Sequence, residues 1–276
     1  MSGERGSRGA AAPAATFSFS RMTTFEQCPR RYRYRYLDGV REGFQSIEAF
    51  MGQQVHATVE WLYNERIAGN EHAVEAAVGR YCSEFDKAGA ASKPAIRVIR
   101  ADMASEHYRR SGAEMLAAFH ARRFAADVLE TVAMERHFEI DVDEGIRFQG
   151  YIDRLARDGD GTLHVIDFKT GSRVPARFEG KDADQLDAYA LALFTQNGDD
   201  ELVLVLEYLR TATVRTKRIR RSQIDEIRRR LAARIAAAQL ATVFPPVPGA
   251  LCGWCGFNDL CEACPPRVLQ QGRSAR

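Results

Sequence analysis

Two short segments place charged groups inside strand-like composition: Gly150-Tyr151-Ile152-Asp153-Arg154 and, after a turn at Asp158-Gly159-Asp160-Gly161, His164-Val165-Ile166-Asp167-Phe168-Lys169-Thr170-Gly171. Side chains alternate across a strand, so Asp167 and Lys169 share one face while Ile166 and Phe168 take the other. Antiparallel pairing of the two segments brings the Asp153 carboxylate beside that of Asp167. Two adjacent carboxylates repel and need a cation. Oxygen ligands of this kind suit Mg²⁺ or Mn²⁺, which lowers the pKa of a bound water and neutralises charge building on a phosphate oxygen. Lys169 would then orient or activate that water, or stabilise the transition state. Taken singly, each of these residues is better explained by a solvated ion pair on a surface hairpin. In combination, within Ile/Val/Phe-rich strands, such charges would be costly to keep without a task.

Cysteines supply a second chemical signal. Cys252, Cys255, Cys261 and Cys264 pack four thiols into thirteen residues. As two CxxC pairs they would suit a self-contained tetrahedral zinc knot. Cys82, between Tyr81 and Phe85 in a helical pattern, reads as a buried apolar residue. Met1 to Thr16 lacks the apolar run of a secretory signal, and no segment is apolar for long enough to cross a bilayer. The expectation is a cytoplasmic chain without membrane contact, in which cysteines serve metal or redox chemistry before disulfides. Net charge is only +2, but the 39 basic residues divide into five lysines and 34 arginines, the side chain that grips phosphate with a planar fork. Either nucleic-acid binding or base composition of the gene accounts for that ratio. Arg30 to Tyr36 interleaves cations with aromatics; on a helix, some tyrosines must bury while some arginines reach outward.

These groups need elements to position them. Phe17 to Leu37, Glu48 to Ile67, Glu71 to Phe85 and Ala101 to Phe124 show helical periodicity, so the first half of the chain is predicted helical. From Thr131 the pattern switches to strands: Thr131 to Ile140, Ile146 to Leu155 and Leu163 to Phe168, separated by turn signals, form a three-stranded meander. A helix over Asp184 to Gln196, strands over Glu201 to Leu209 and Thr213 to Arg220, and a helix over Ser222 to Leu240 follow.

Asp153 followed by Asp167-Phe168-Lys169-Thr170-Gly171 resembles the active-site motif of PD-(D/E)XK nucleases, in the variant typical of the RecB/AddB-like branch. The resemblance implies an α/β, restriction-endonuclease-like core with a mixed β-sheet flanked by helices, an N-terminal helical elaboration and a C-terminal Cys-rich lobe. It also implies a helix carrying Gln185 and Tyr189 on one face toward the DNA cleft, a spacing that i,i+4 geometry permits. Gly52-Gln53-Gln54-Val55-His56 resembles the family's histidine motif, making His56 a third metal ligand beside Asp153 and Asp167. Glu60 and Glu135 are further candidates near those acids. For the cysteines the resemblance implies a different grouping from the zinc knot. Cys28, in its Cys-Pro context, would join Cys252, Cys255 and Cys261 around a [4Fe-4S] cluster, leaving Cys264 surplus.

The domain expectation is a tail over 1–16, one nuclease domain over 17–266 and a loose tail over 267–276. Within the domain, 17–130 is mainly helical, 131–241 holds the core sheet and its helices, and 242–266 binds the cluster. The function expected is Mg²⁺- or Mn²⁺-dependent hydrolysis of DNA, acting as an exonuclease on single strands or ends in repair or recombination. No Walker P-loop pattern occurs, so a helicase or recombination partner would supply any motor. Two other classes stay open: a nuclease fold that grips DNA without cutting, and a zinc-stabilised interaction protein. Metal content distinguishes the last, since zinc unaffected by Cys28→Ser would support it.

Overall fold

A computed structural model describes residues 15–264. The strands are β1 (Ala15–Phe17), β2 (Phe44–Ser46), β3 (Ala95–Arg97), β4 (Glu130–Asp143), β5 (Ile146–Arg157), β6 (Leu163–Lys169), β7 (Glu201–Tyr208) and β8 (Thr213–Arg220). The helices are α1 (Phe19–Gln27), α2 (Pro29–Tyr32), α3 (Ile47–Ile67), α4 (Val74–Ala91), α5 (Ser105–Phe119), α6 (Gly180–Gln196) and α7 (Ile224–Gln239). Six strands form a mixed sheet in the order β1-β5-β6-β7-β8, with β4 pairing β5; β2 and β3 make a separate two-stranded sheet. The β4-β5-β6 meander is antiparallel, β6 runs parallel to β7, and β7 pairs antiparallel with β8. Strand β7 is apolar almost throughout, as a central strand covered on both faces must be.

Helices α6 and α7 cover one face, where Leu186, Leu193, Phe194, Leu231 and Ile235 join the sheet's Phe138, Phe148 and Leu204. Helices α3, α4 and α5 cover the other, where Val55, Val59, Tyr63, Tyr81 and Leu116 meet Ile166, Phe168 and Val205. This is the predicted mixed α/β sandwich with helical elaboration before the sheet. One edge of β5 is shared: its start pairs with β1 through Phe17↔Phe148, and its end pairs with β6 from Arg154↔Ile166 onward. Between them, residues 149–153 have no ladder partner on that edge.

Several local expectations need correction. The single helix predicted over Phe17 to Leu37 is broken. Pro29 disfavours helical backbone at Cys28, which is extended (φ −161°) and caps α2, so the cysteine sits half-buried at a joint instead of lying within a turn. Arg33 to Leu37 then widens into a π-helical turn. The predicted N-terminal tail ends two residues early, because Ala15–Phe17 forms β1. Phe17 is 1% exposed, and burial of such a ring contributes about 1.5–3 kcal/mol toward holding this three-residue edge strand. The rest of both tails, and residues 265–266 of the predicted lobe, lie outside the described residues. Strands β2 and β3 have no counterpart in the sequence reading; three residues are too few for an alternation to register.

The ribbon that bears Asp153 is locked from the α6 side. A Cβ at Gly150 would lie 2.9 Å from Phe138 Cζ and 3.6 Å from Tyr189 Cε1, and Phe138 packs edge-on against Tyr189 at 5.6 Å. Gly150→Ala is therefore expected to destabilise the fold by about 1–3 kcal/mol through overpacking. Gly159→Ala, whose Cβ meets nothing within 4 Å, is its neutral control. Equal melting temperatures for the two variants would show that the ring stack yields without cost.

Candidate active site

At the gap in the β5 edge, the ladder gives way to side chains. Just beyond the last bridged pair, Asp153 Oδ2 accepts the Phe168 backbone N–H at 2.8 Å. Asp167 and Lys169 project together from the end of β6, with Lys169 Nζ 2.6 Å from Asp167 Oδ2. Apart from this ion pair, Asp167 Oδ2 is a buried oxygen without a hydrogen-bond partner. Asp167 itself is 2% exposed.

From the opposite layer, α3 presents His56 between the fully buried Val55 and Val59. His56 Nδ1 stands 3.4 Å from Asp153 Oδ2. One turn earlier, Gly52 permits the approach: a Cβ there would sit 2.9 Å from Thr170 Oγ1, at the end of β6. Burial lowers the His56 pKa, Asp167 opposes and Lys169 assists, and the ring is held neutral, the form in which imidazole ligates metal. Burial first, and the Asp167 charge second, raise the Asp153 carboxyl well above the usual carboxylate range.

Glu135 completes a triad. One ligand atom each from His56, Glu135 and Asp153 lies within 4.8 Å of the other two. The Glu135 backbone is left-handed, φ +44°, inside a strand. For a non-glycine residue this costs about 1–3 kcal/mol and persists where the surroundings over-determine it. The ladder shows the distortion: Met134↔Arg154 and Arg136↔Ile152 are bridged, and Glu135, opposite Asp153, is not. Burial, then Glu60 and Asp167, raise the Glu135 carboxyl. Asp167 stands outside this triad, turned toward Lys169.

Helix α6 lines the other side. Lys169 Nζ donates to Gln185 Oε1 at 2.9 Å, and Gln185 Nε2 donates to Tyr189 Oη at 2.5 Å. The predicted i,i+4 pair is thus on one face, joined to the lysine. Burial alone would pull the Lys169 pKa down, but Asp167 and Asp182, the latter 3.8 Å away, outweigh it and the ammonium is retained. Tyr189 is pushed up by burial and then by Asp167, so it remains a phenol.

On a solvated hairpin, Arg154 would pair with its neighbour Asp153. It is 2% exposed and reaches across the sheet instead. Its Nη1 bonds Asp127 Oδ2 at 2.5 Å and its Nε bonds Thr131 Oγ1 at 3.0 Å. The guanidinium lies 3.8 Å from the Tyr63 ring centroid, and Tyr63 Oη donates to the same Asp127 oxygen at 2.8 Å. Tyr63 is on the helix of His56, and Arg154 follows Asp153. This buried network therefore fixes the helix bearing one candidate ligand against the strand bearing another.

Away from the acidic residues, the two ends of the described chain share a cavity. Cys28, Cys252, Cys255, Cys261 and Cys264 line one cavity, together with Arg31 and Asn258. Main-chain bonds hold its walls: Arg30 N to Pro245 O at 3.2 Å and Gly43 N to Gly256 O at 2.8 Å. Gly256 permits this contact, since a Cβ there would lie 2.9 Å from Phe44 O. Cys82 is elsewhere, on α4 beside the core of the helical layer. As predicted for the aromatic run, Tyr32 is buried while Arg33 and Arg35 are exposed.

A family model described as the PD-(D/E)XK nuclease superfamily matches residues 16–262. Three relatives, each a subunit of an ATP-dependent helicase/deoxyribonuclease, come from Streptococcus agalactiae serotypes Ia, V and III. Each is 28% identical over 161 residues, which cover 56% of this chain and 14% of the relative. The chain thus spans about a seventh of their length. The crystal structure of SSO0001 aligns with 92% of this chain and 89% of its own, at 15% identity and a TM-score of 0.37.

Proposed function

The chain belongs to the PD-(D/E)XK nuclease superfamily, and from that membership we propose that it is a Mg²⁺- or Mn²⁺-dependent deoxyribonuclease acting in DNA repair or recombination. The observation that carries the proposal is the meeting of His56, Glu135 and Asp153 within 4.8 Å beside the ion pair of Asp167 and Lys169. The donors fit a divalent cation: a neutral imidazole and buried carboxylates whose crowding a cation would relieve. His56, Asp153 and Asp167 would hold it, with Glu135 as a further ligand. A bound cation supplies neutralisation of charge on the phosphate and a lowered pKa for water. Lys169 positions the attacking water and meets charge on the phosphate oxygen; Gln185 and Tyr189 hold the ammonium in line from α6.

The partner and cofactor assignments rest on the same membership. The relatives' names join helicase and deoxyribonuclease, and DNA strands or ends, delivered by a helicase partner, are the proposed substrate. Among the described residues no helix is long and apolar enough to cross a membrane, and a cytoplasmic site of action is proposed. The cysteine cavity is assigned to a [4Fe-4S] cluster held by Cys28, Cys252, Cys255 and Cys261. Arg31 Nε and Asn258 Oδ1, both buried without hydrogen-bond partners, belong to side chains in that wall. The family resemblance, which groups Cys28 with Cys252, Cys255 and Cys261, favours a cluster over zinc.

Cluster-loaded protein, purified without oxygen, should degrade end-labelled DNA when Mg²⁺ or Mn²⁺ is added and stop when the cation is chelated. The position of label release gives the polarity. Binding without cutting under either cation would replace this assignment with that of a non-cutting DNA-binding module.

A further inference from the structure

We infer that His137 and Tyr151 form a stacking platform for an unpaired nucleobase next to the acidic site, a surface that selects single-stranded over duplex nucleic acid. The inference rests on the nuclease assignment above and adds the form of its substrate. Tyr151 is 57% exposed, and Trp254, at 37%, is the other exposed large aromatic among the described residues. Tyr151 belongs to neither hydrophobic cluster. Its partner His137 is also exposed and lies directly opposite in the β4-β5 register, with ring centroids 4.9 Å apart at an interplanar angle of 49°.

Position gives this pair its meaning. Asp153 is two residues beyond Tyr151 on β5, and Glu135 is two residues before His137 on β4. The aromatic rung and the acidic rung are thus consecutive alternate rungs of one ribbon, about 7 Å apart at strand rise. The ribbon is rigid at this point, because Gly150 and Phe138 are packed against Tyr189 on its other face. A base arriving at the acids by way of this rung meets two ring faces with no competing core contact. Every base has a π-face, so such a platform is tolerant of sequence. It requires an unstacked base, which a duplex offers only at the cost of exposing one.

Binding is read in metal-free buffer, where no cutting intervenes, by anisotropy of a labelled mixed-sequence single strand and of its duplex. Tyr151→Ala should weaken single-strand binding about 5- to 150-fold, leave duplex binding unchanged, and be rescued by Tyr151→Phe. A melting temperature equal to that of the wild type verifies that the variant folds. Single-strand binding unchanged in Tyr151→Ala, or weakened equally with duplex, overturns the platform while leaving the nuclease assignment intact. Wild-type protein that binds neither probe overturns both.

Discussion

Lys169→Ala should lower DNA cleavage by about 10²–10⁴-fold while leaving cation binding intact, whereas Asp153→Asn should abolish both. The lysine is held on three sides, by Asp167, Asp182 and Gln185, and it contributes a positioned charge, not a ligand. Asp153 belongs to the triad, so its loss would remove a ligand of the proposed cation site. Thermal stability separates the two effects without reference to activity. Saturating Mn²⁺, at about 100 times its dissociation constant, stabilises a folded protein by about 2.7 kcal/mol, or roughly 5–11 °C for a chain of this size. Wild type and Lys169→Ala should show that rise, and Asp153→Asn should not. In chelator the order reverses. Because the folded Asp153 carboxyl is raised, the folded state binds its proton more tightly than the unfolded chain does. Its contribution to stability is greatest below the ordinary carboxylate pKa and is lost as pH rises through the raised value. Asp153→Asn lacks this loss and should melt higher than metal-free wild type at neutral pH. Cleavage by Lys169→Ala at the wild-type rate would remove the lysine from the reaction.

Much of the site was legible in the sequence because strand alternation is local information. The spacing of Asp167 and Lys169, the turn before them and the i,i+4 pair of Gln185 and Tyr189 all depend on neighbours within a few residues, and in the structure Lys169, Gln185 and Tyr189 meet in one hydrogen-bonded chain. Glu135 was harder to place. Nothing in Ala133-Met134-Glu135-Arg136 marks a left-handed residue, since the φ of +44° is imposed by its surroundings and not by a glycine. The partner of Arg154 is set by its surroundings in the same way. Adjacent in sequence to Asp153, it pairs with Asp127, 27 positions back in sequence, and Tyr63 of α3 bonds the same carboxylate oxygen. The break at Cys28 did have a signal in Pro29, which the periodic tyrosines and arginines beyond it obscured.

The second large effect concerns the cysteine cavity, where Cys28→Ser should remove iron and sulfide from the purified protein and lower its melting temperature. Cys28 is the one cysteine of the five contributed by the N-terminal segment, at the joint between α1 and α2. The other four lie beyond α7 in a stretch with little regular structure, apart from a short 3₁₀ turn over Ala250–Trp254. A metal centre formed only in the folded state adds its binding free energy to folding, and each kcal/mol lost lowers the melting temperature of a domain this large by about 2–4 °C. Cys264→Ser should behave differently. Its thiol is the least exposed of the five, and it lies outside the proposed ligand set. Iron and sulfide content should survive its loss. Zinc in place of iron, retained in Cys28→Ser and lost in Cys264→Ser, would instead assign the four C-terminal cysteines to a knot of their own. In that case the main-chain bonds from Arg30 to Pro245 and from Gly43 to Gly256, not a shared cluster, would be what holds the two ends of the described chain together.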